Sequence, residues 1–159
     1  MVVDNYIEVN LGKGVSDARK TLTEEIVRWC IRQLLPKVRT LDITVDLLDE
    51  LDGGADGYQW SGEDNRQHFI EINENQYYDD FVTAVMHEMV HVKQYSKGEL
   101  IDMSRSGQTK WQNVPVNKQT NYWDQPWEIE AHGKELGLFI RWAEDSELSS
   151  QSWTQEELK

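Results

Sequence analysis

Polar and apolar residues alternate along this chain in two distinct periods, and the periods mark its elements. From Ser16 or Asp17 to Leu35, the side chains Leu22, Ile26, Trp29, Cys30 and Ile31 recur at helical spacing and form one apolar stripe. Pro36 ends that helix, because proline cannot continue the backbone ladder. Thr21 and Glu24 form an internal capping-box pattern, so a later start is also open. Between Leu41 and Leu48 the period drops to two: Ile43, Val45 and Leu47 alternate with Asp42, Thr44 and Asp46, which predicts a strand. The run from Asp49 to Gly57 is rich in Asp and Gly and predicts a solvated hairpin loop. Its spacing lacks the bidentate Glu of a calcium-binding loop. Tyr58-Gln59-Trp60 predicts a short strand. Gln67 to Asn73 predicts a longer one, with His68, Ile70 and Ile72 on one face and Phe69 and Glu71 on the other.

A second helix follows, capped by Asp79 or Asp80, with Phe81, Val85, Met89 and Val92 on its apolar side and Gly98 as its stop. Residues Glu99 to Asn121, including Trp111 and Pro115, show little periodicity. They predict a long loop that partly wraps whatever the preceding helix carries. A third helix is expected from Asp124-Gln125-Pro126-Trp127 through Ile129, Ala131, Leu136, Ile140 and Trp142 to about Ala143. Residues 1–15 suit a short strand or a loose arm. Residues 143–159 suit a polar tail or a capping helix around Trp153 and Leu158. No repeat or linker divides the chain, so residues 1–159 read as one α+β domain.

Composition narrows the functional classes. The apolar share is 38% with seven Trp, enough for a packed core despite a mean hydropathy of -0.70. Net charge is -13, which disfavours nucleic acid and anionic membrane as partners, because both require a basic face. The single cysteine, Cys30, cannot pair within the chain and fits a small buried position in a reducing compartment. Met1 to Gly14 has no basic segment followed by an apolar run, and no stretch approaches the length of a membrane span. The expectation is therefore a cytoplasmic protein. The tryptophans Trp111, Trp123, Trp127, Trp142 and Trp153 leave room for an exposed aromatic patch, and the oligomeric state is open.

The chemistry concentrates in Val85-Met86-His87-Glu88-Met89-Val90-His91-Val92. On a helix, His87 and His91 lie one above the other on one face, the spacing of two nitrogen ligands on one Zn²⁺. Glu88 is placed to reach a water activated by that ion rather than the ion itself. Two of only four histidines are used here. His68, alone on its strand, reads as a surface or half-buried side chain and not as a ligand. A catalytic zinc site needs a third protein ligand and an open position. Glu128, Glu130 and His132 are the candidates. Glu130 is turned roughly 200° around the helix from Glu128, so the two cannot face one ion. Glu128, Ala131 and His132 share a face. The helical argument favours Glu128 as ligand and His132 as its supporting polar neighbour, with His132 and then Glu130 as the alternatives. Tyr122 is the first candidate for an oxyanion donor and Tyr95 the second.

These residues resemble a short zincin metallopeptidase of the gluzincin type. The resemblance rests on His87-Glu88-Met89-Val90-His91-Val92-Lys93-Gln94-Tyr95 and on Pro126-Trp127-Glu128-Ile129-Glu130-Ala131-His132. It spans roughly residues 40–143. In similar minimal zincins the second motif is Glu-x-x-Ala followed by a polar residue, and its Glu binds zinc, which maps onto Glu128. Many members carry Asp or Asn where this chain has His132. The resemblance implies a minimal core, with a small mixed sheet packed on the metal-binding helix. It also implies an edge strand lining the cleft that accepts an extended peptide or protein substrate. Gln67 to Asn73 is expected to be that edge, with Phe69, Ile70 and Glu71 as substrate contacts. Compact proteins of this kind are often predicted peptidases in phage genomes, which would place this one in the host cytoplasm. Two other readings compete. One is a zinc-binding interaction module that has the fold but cleaves nothing, against which the intact Glu88 argues. The other is a DNA-associated protease, against which the acidic charge argues.

Overall fold

A computed structural model describes residues 4–103, 108–148, 150, 151 and 153. Among them are three α-helices and two small sheets, an α+β arrangement. The elements that matter to the site are strands β1 (Tyr6–Leu11), β2 (Asp42–Leu48), β3 (Gly57–Ser61) and β4 (Gln67–Asn73), and helices α1 (Asp17–Leu34), α2 (Tyr78–Ser96) and α3 (Pro126–Asp145). The order across the first sheet is β1-β2-β4-β3. β1 and β4 run parallel to β2, and β3 runs antiparallel to β4. The N-terminal segment is thus a paired strand from Tyr6 onward rather than an arm. Residues 1–3 lie outside the described part.

The alternation in β2 and β4 sets the layers. Ile43, Val45, Leu47, Ile70 and Ile72 are almost completely buried and form one core with Ile26, Val27 and Cys30 of α1 and Phe81, Val85 and Met89 of α2. The α2 helix is buried around most of its circumference, as expected of a central element. It begins at Tyr78, with Tyr77 at the cap, and Asp79 and Asp80 fall inside its first turn. There their charge complements the helix dipole instead of capping it. Its end follows the anticipated glycine. Gly98 has φ +71°, its N–H donates to the Tyr95 carbonyl, and Glu99 N–H donates to the Gln94 carbonyl, the pair of bonds of a Schellman motif.

Two expectations are corrected here. The first concerns the edge of the sheet. Strand β4 has a partner on each side, so it is an interior strand, and β3 is the edge facing the helices. Proximity in sequence to α2 suggested β4, but the hairpin folds β3 outside it. Phe69, Ile70 and Glu71 therefore do not line the cleft: Ile70 is 1% exposed in the core, and Phe69 stacks on Trp60 at 5.7 Å on the opposite face. The second concerns residues 99–121. They contain a meander, β5 (Leu100–Met103), β6 (Gln108–Trp111) and β7 (Val114–Asn117), antiparallel throughout. Gln112 and Asn113 both have positive φ and form the two-residue turn, and Pro115 is tolerated because β7 is an edge. Residues 104–107 lie outside the described part.

Helix α3 runs to Asp145, slightly longer than expected, and Trp29 Nε1 donates to Asp145 Oδ2 at 2.9 Å, tying α1 to its end. Beyond it, Leu148 packs against the core and Trp153 touches Tyr78, Phe139 and Trp142. The helix expected around Leu158 lies outside the described residues. Among the described residues, no helix is long and apolar enough to cross a membrane.

His68 is fully buried, deeper than the surface or half-buried position expected. Its Nε2 lies 3.0 Å from the Asn65 carbonyl oxygen and 3.0 Å from Ser96 Oγ, and its Nδ1 lies 3.1 Å from Gln59 Nε2. These partners suit a neutral ring that donates from Nε2 and accepts at Nδ1. Burial pulls its pKa from 6.5 to about 4, against the raising effect of the Asn65 carbonyl. A lowered folded pKa makes the contribution to stability fully present above 6.5 and lost as pH falls through 4. We expect unfolding free energy, followed by urea titration with a chelator present, to fall by up to about 3 kcal/mol from this ring over that window. His68→Gln should flatten the curve there by that amount. An unchanged pH dependence would refute the assignment.

Candidate metal centre

Helix α2 crosses the sheet with His87 and His91 on the face turned toward α3. Ala131 of α3 is fully buried and has only a methyl group, which lets the two helices approach closely. The approach brings Glu128, in the first turn of α3, opposite both histidines. Glu128 Oε2 lies 3.1 Å from His87 Nε2, Glu128 Oε1 lies 3.2 Å from His91 Nε2, and the two Nε2 atoms are 3.2 Å apart. The three side chains form a cluster that could hold a metal ion.

The outer nitrogens explain why these inner atoms could act as ligands. His87 Nδ1 is 2.7 Å from Glu135 Oε2, and His91 Nδ1 is 2.8 Å from Gln94 Oε1. Both partners are acceptors, so each Nδ1 carries the proton and each neutral Nε2 presents a lone pair. Two lone pairs and a carboxylate then face one gap, an arrangement that suits a cation. Where protons supply that charge, the electrostatics show it. Burial alone would lower the His87 pKa, but hydrogen bonds to Glu128 and Glu135 and the charge of Glu88 outweigh it and raise it to about 10. His91 is likewise raised, its hydrogen bond to Glu128 overcoming burial. Burial would raise Glu128, but its bonds to the two histidines hold it far below the usual carboxylate range. A metal ion competes with those protons for the same atoms.

Glu88 differs from its neighbours. Its side chain is 6% exposed and lines a cleft of about 620 Å³ beside the cluster, yet no described residue hydrogen-bonds its carboxylate. Burial, opposed by the charges of His91 and His87, raises its pKa. Tyr122 and Tyr95 also line the cleft. The Tyr122 hydroxyl lies 2.9 Å from both Glu128 Oε2 and His132 Nε2. It is set there by a short 3-10 turn, Tyr122–Asp124, whose Trp123 N–H donates to the Asn121 side chain. Burial and the Glu128 contact push the Tyr122 pKa up, and burial pushes Tyr95 to about 12.

The alternative ligands are placed apart from the ion-sized gap. Glu130 turns to the other side of α3, where it accepts from Lys93 Nζ at 2.9 Å and from Gln94 Nε2 at 3.1 Å. His132 stands behind His87, with ring centroids 4.5 Å apart, between Tyr122 and Glu135. It joins His87 and Glu135 in a second group of metal-binding type. Sequence reasoning missed Glu135 and Gln94. Glu135 was findable, since it continues the face of Glu128, Ala131 and His132 by one more turn. Gln94 lies three residues after His91 on α2 and was findable by the same rule. Glu135→Ala is expected to weaken metal affinity by about 10–100-fold through loss of the His87 orientation, read by competition against a chromogenic chelator. Unchanged affinity would show that α2 packing alone holds the ring.

Comparison with protein-family models, with curated proteins and with solved structures finds no match, so the reading of this site rests on the chain's own residues.

Proposed function

We infer that the protein is a zinc-dependent peptidase in which Glu88 is the general base. The observation that carries this reading is a three-ligand cluster beside a buried carboxylate that no described residue hydrogen-bonds. Zinc fits the donor set. Bonds of 2.0–2.1 Å in a tetrahedron place ligand atoms about 3.3 Å apart. The two Nε2 atoms are 3.2 Å apart, and each stands 3.1 or 3.2 Å from one oxygen of the Glu128 carboxylate, His87 from Oε2 and His91 from Oε1. Two imidazoles and one carboxylate also leave a fourth position, as catalytic zinc sites do.

When bound, the ion supplies a Lewis acid that acidifies a water and polarises a carbonyl. Glu88 takes the proton of the attacking water and passes it to the departing amine. Tyr122 is the first choice for steadying the oxyanion, because its hydroxyl already stands beside a ligand oxygen. Tyr95 is the second.

The edge strand supports a peptide as substrate. Asn73 N–H donates to the Asp56 carbonyl and Gly62 N–H donates to the Gln67 carbonyl. The alternation of an antiparallel ladder then turns the backbone groups of Gly57 and Gln59 toward the free edge. Both residues line the cleft, where an extended chain could pair with them. The test is metal analysis by mass spectrometry together with cleavage of an unbiased peptide library, wild type against Glu88→Gln. About one zinc per chain in both, with cleavage only by wild type, is the expected result. Cleavage by Glu88→Gln at the wild-type rate would overturn the mechanism. Zinc in both with cleavage in neither would favour the zinc-binding interaction module.

A further inference from the structure

Strand β3 opens on a glycine whose place in the fold is explained by Glu88. A Cβ built on Gly57 would lie 3.1 Å from Glu88 Oε1, 3.2 Å from Glu88 Cγ and 3.1 Å from Ile72 Cδ1. These are inside the optimal non-bonded separation of about 3.5–4.0 Å for carbon. Backbone freedom does not account for the residue. Among the described residues the glycines with left-handed φ are Gly14, Gly53, Gly54 and Gly98, and Gly57 is not one of them. Glycine within a strand weakens it, so its presence marks a place where something approaches closely.

Here the approaching group is the general base. Among the described residues no hydrogen bond fixes the Glu88 carboxylate, and its close approach to the β3 backbone is a restraint they do supply. The β3 wall is itself anchored. Gln59, two residues on and on the same face, lies 3.1 Å from His68 Nδ1, and His68 Nε2 lies 3.0 Å from Ser96 Oγ at the end of α2. The separation of β3 from α2 is thereby fixed through side chains outside the cluster.

We propose that Gly57 is a positioning residue for Glu88: the absence of a side chain lets the carboxylate lie close against the β3 backbone, and that backbone limits how far the carboxylate stands from the ligand cluster. This rests on the reading of Glu88 as general base. The role is steric and differs from the substrate pairing that the same strand offers through its backbone edge.

The test is Gly57→Ala in the zinc-loaded protein. We expect unchanged zinc content, KM within about threefold and kcat lower by about tenfold or more, because small misplacements of a reacting group are costly. Ser61→Ala, on the same face of the strand but outside the cleft, should leave kcat unchanged. Glu88→Asp withdraws the carboxylate by one methylene, so adding Gly57→Ala to that variant should lower kcat by less than about twofold. Wild-type kcat in Gly57→Ala, or equal losses in both backgrounds, would overturn the proposal. If Gly57→Ala does not fold, Gly57→Ala/Ile72→Val removes the contact with Ile72 Cδ1 and leaves the one with Glu88. If wild type cleaves no peptide, the peptidase reading fails while this one is still decided by crystal structures of both zinc-loaded proteins. A Glu88 carboxylate displaced by a few tenths of an ångström or more would support it, and an unmoved one would overturn it.

Discussion

Glu88→Gln is expected to lower kcat by about a thousandfold while the protein keeps its metal, its fold and its KM. The amide is nearly isosteric with the carboxylate, so the tight space beside Gly57 is not disturbed. It cannot accept the proton of the attacking water, so the loss falls on the chemical step. Glu88 makes no hydrogen bond to a described residue, and the exchange therefore breaks none of the network that holds His87 and His91. A variant that is as stable as wild type, or more so, and nearly inactive would be the signature of a base held in place for function. Equal loss of metal and activity would instead mean that Glu88 supports the ligands.

The second large effect separates two glutamates only two positions apart. Glu128→Ala should cost metal affinity more than the roughly 10–100-fold typical of residues that merely support a ligand. It removes the carboxylate of the cluster and leaves two histidine nitrogens 3.2 Å apart without it. Glu130→Ala should leave metal affinity unchanged and lower stability by about 1–3 kcal/mol, because Lys93 is largely buried and loses one of its two carboxylate partners. The ion pair that Lys93 keeps with Glu99 limits that loss. Metal titration and urea unfolding of the two variants should therefore give opposite patterns. The reverse pattern would reassign the third ligand to Glu130.

What sequence could reach here follows from the range of each interaction. Helical spacing is local, so the shared face of His87 and His91 and that of Glu128, Ala131 and His132 are readable from the chain. The same rule, carried one turn further, would have included Glu135. The burial of Ile43, Val45 and Leu47 is readable for the same reason, since a strand alternates whatever it packs against. His68 was misread because its polar partners, Gln59, Asn65 and Ser96, come from three separate places in the chain. A buried histidine and a surface histidine look alike until such partners are known. The meander at 100–117 was missed because its β6–β7 turn uses Gln112-Asn113 in place of the glycine that usually announces a hairpin.

By itself the sequence determined which residues could carry metal chemistry and on which helical faces they stand, because those properties depend on neighbours three and four positions away. Only the tertiary structure decided which faces meet. It set Glu128 against the two histidines and sent Glu130 to Lys93, through the close contact at Ala131. It also made β3 rather than β4 the edge beside Glu88, because strand order is a matter of long-range pairing that no local period records.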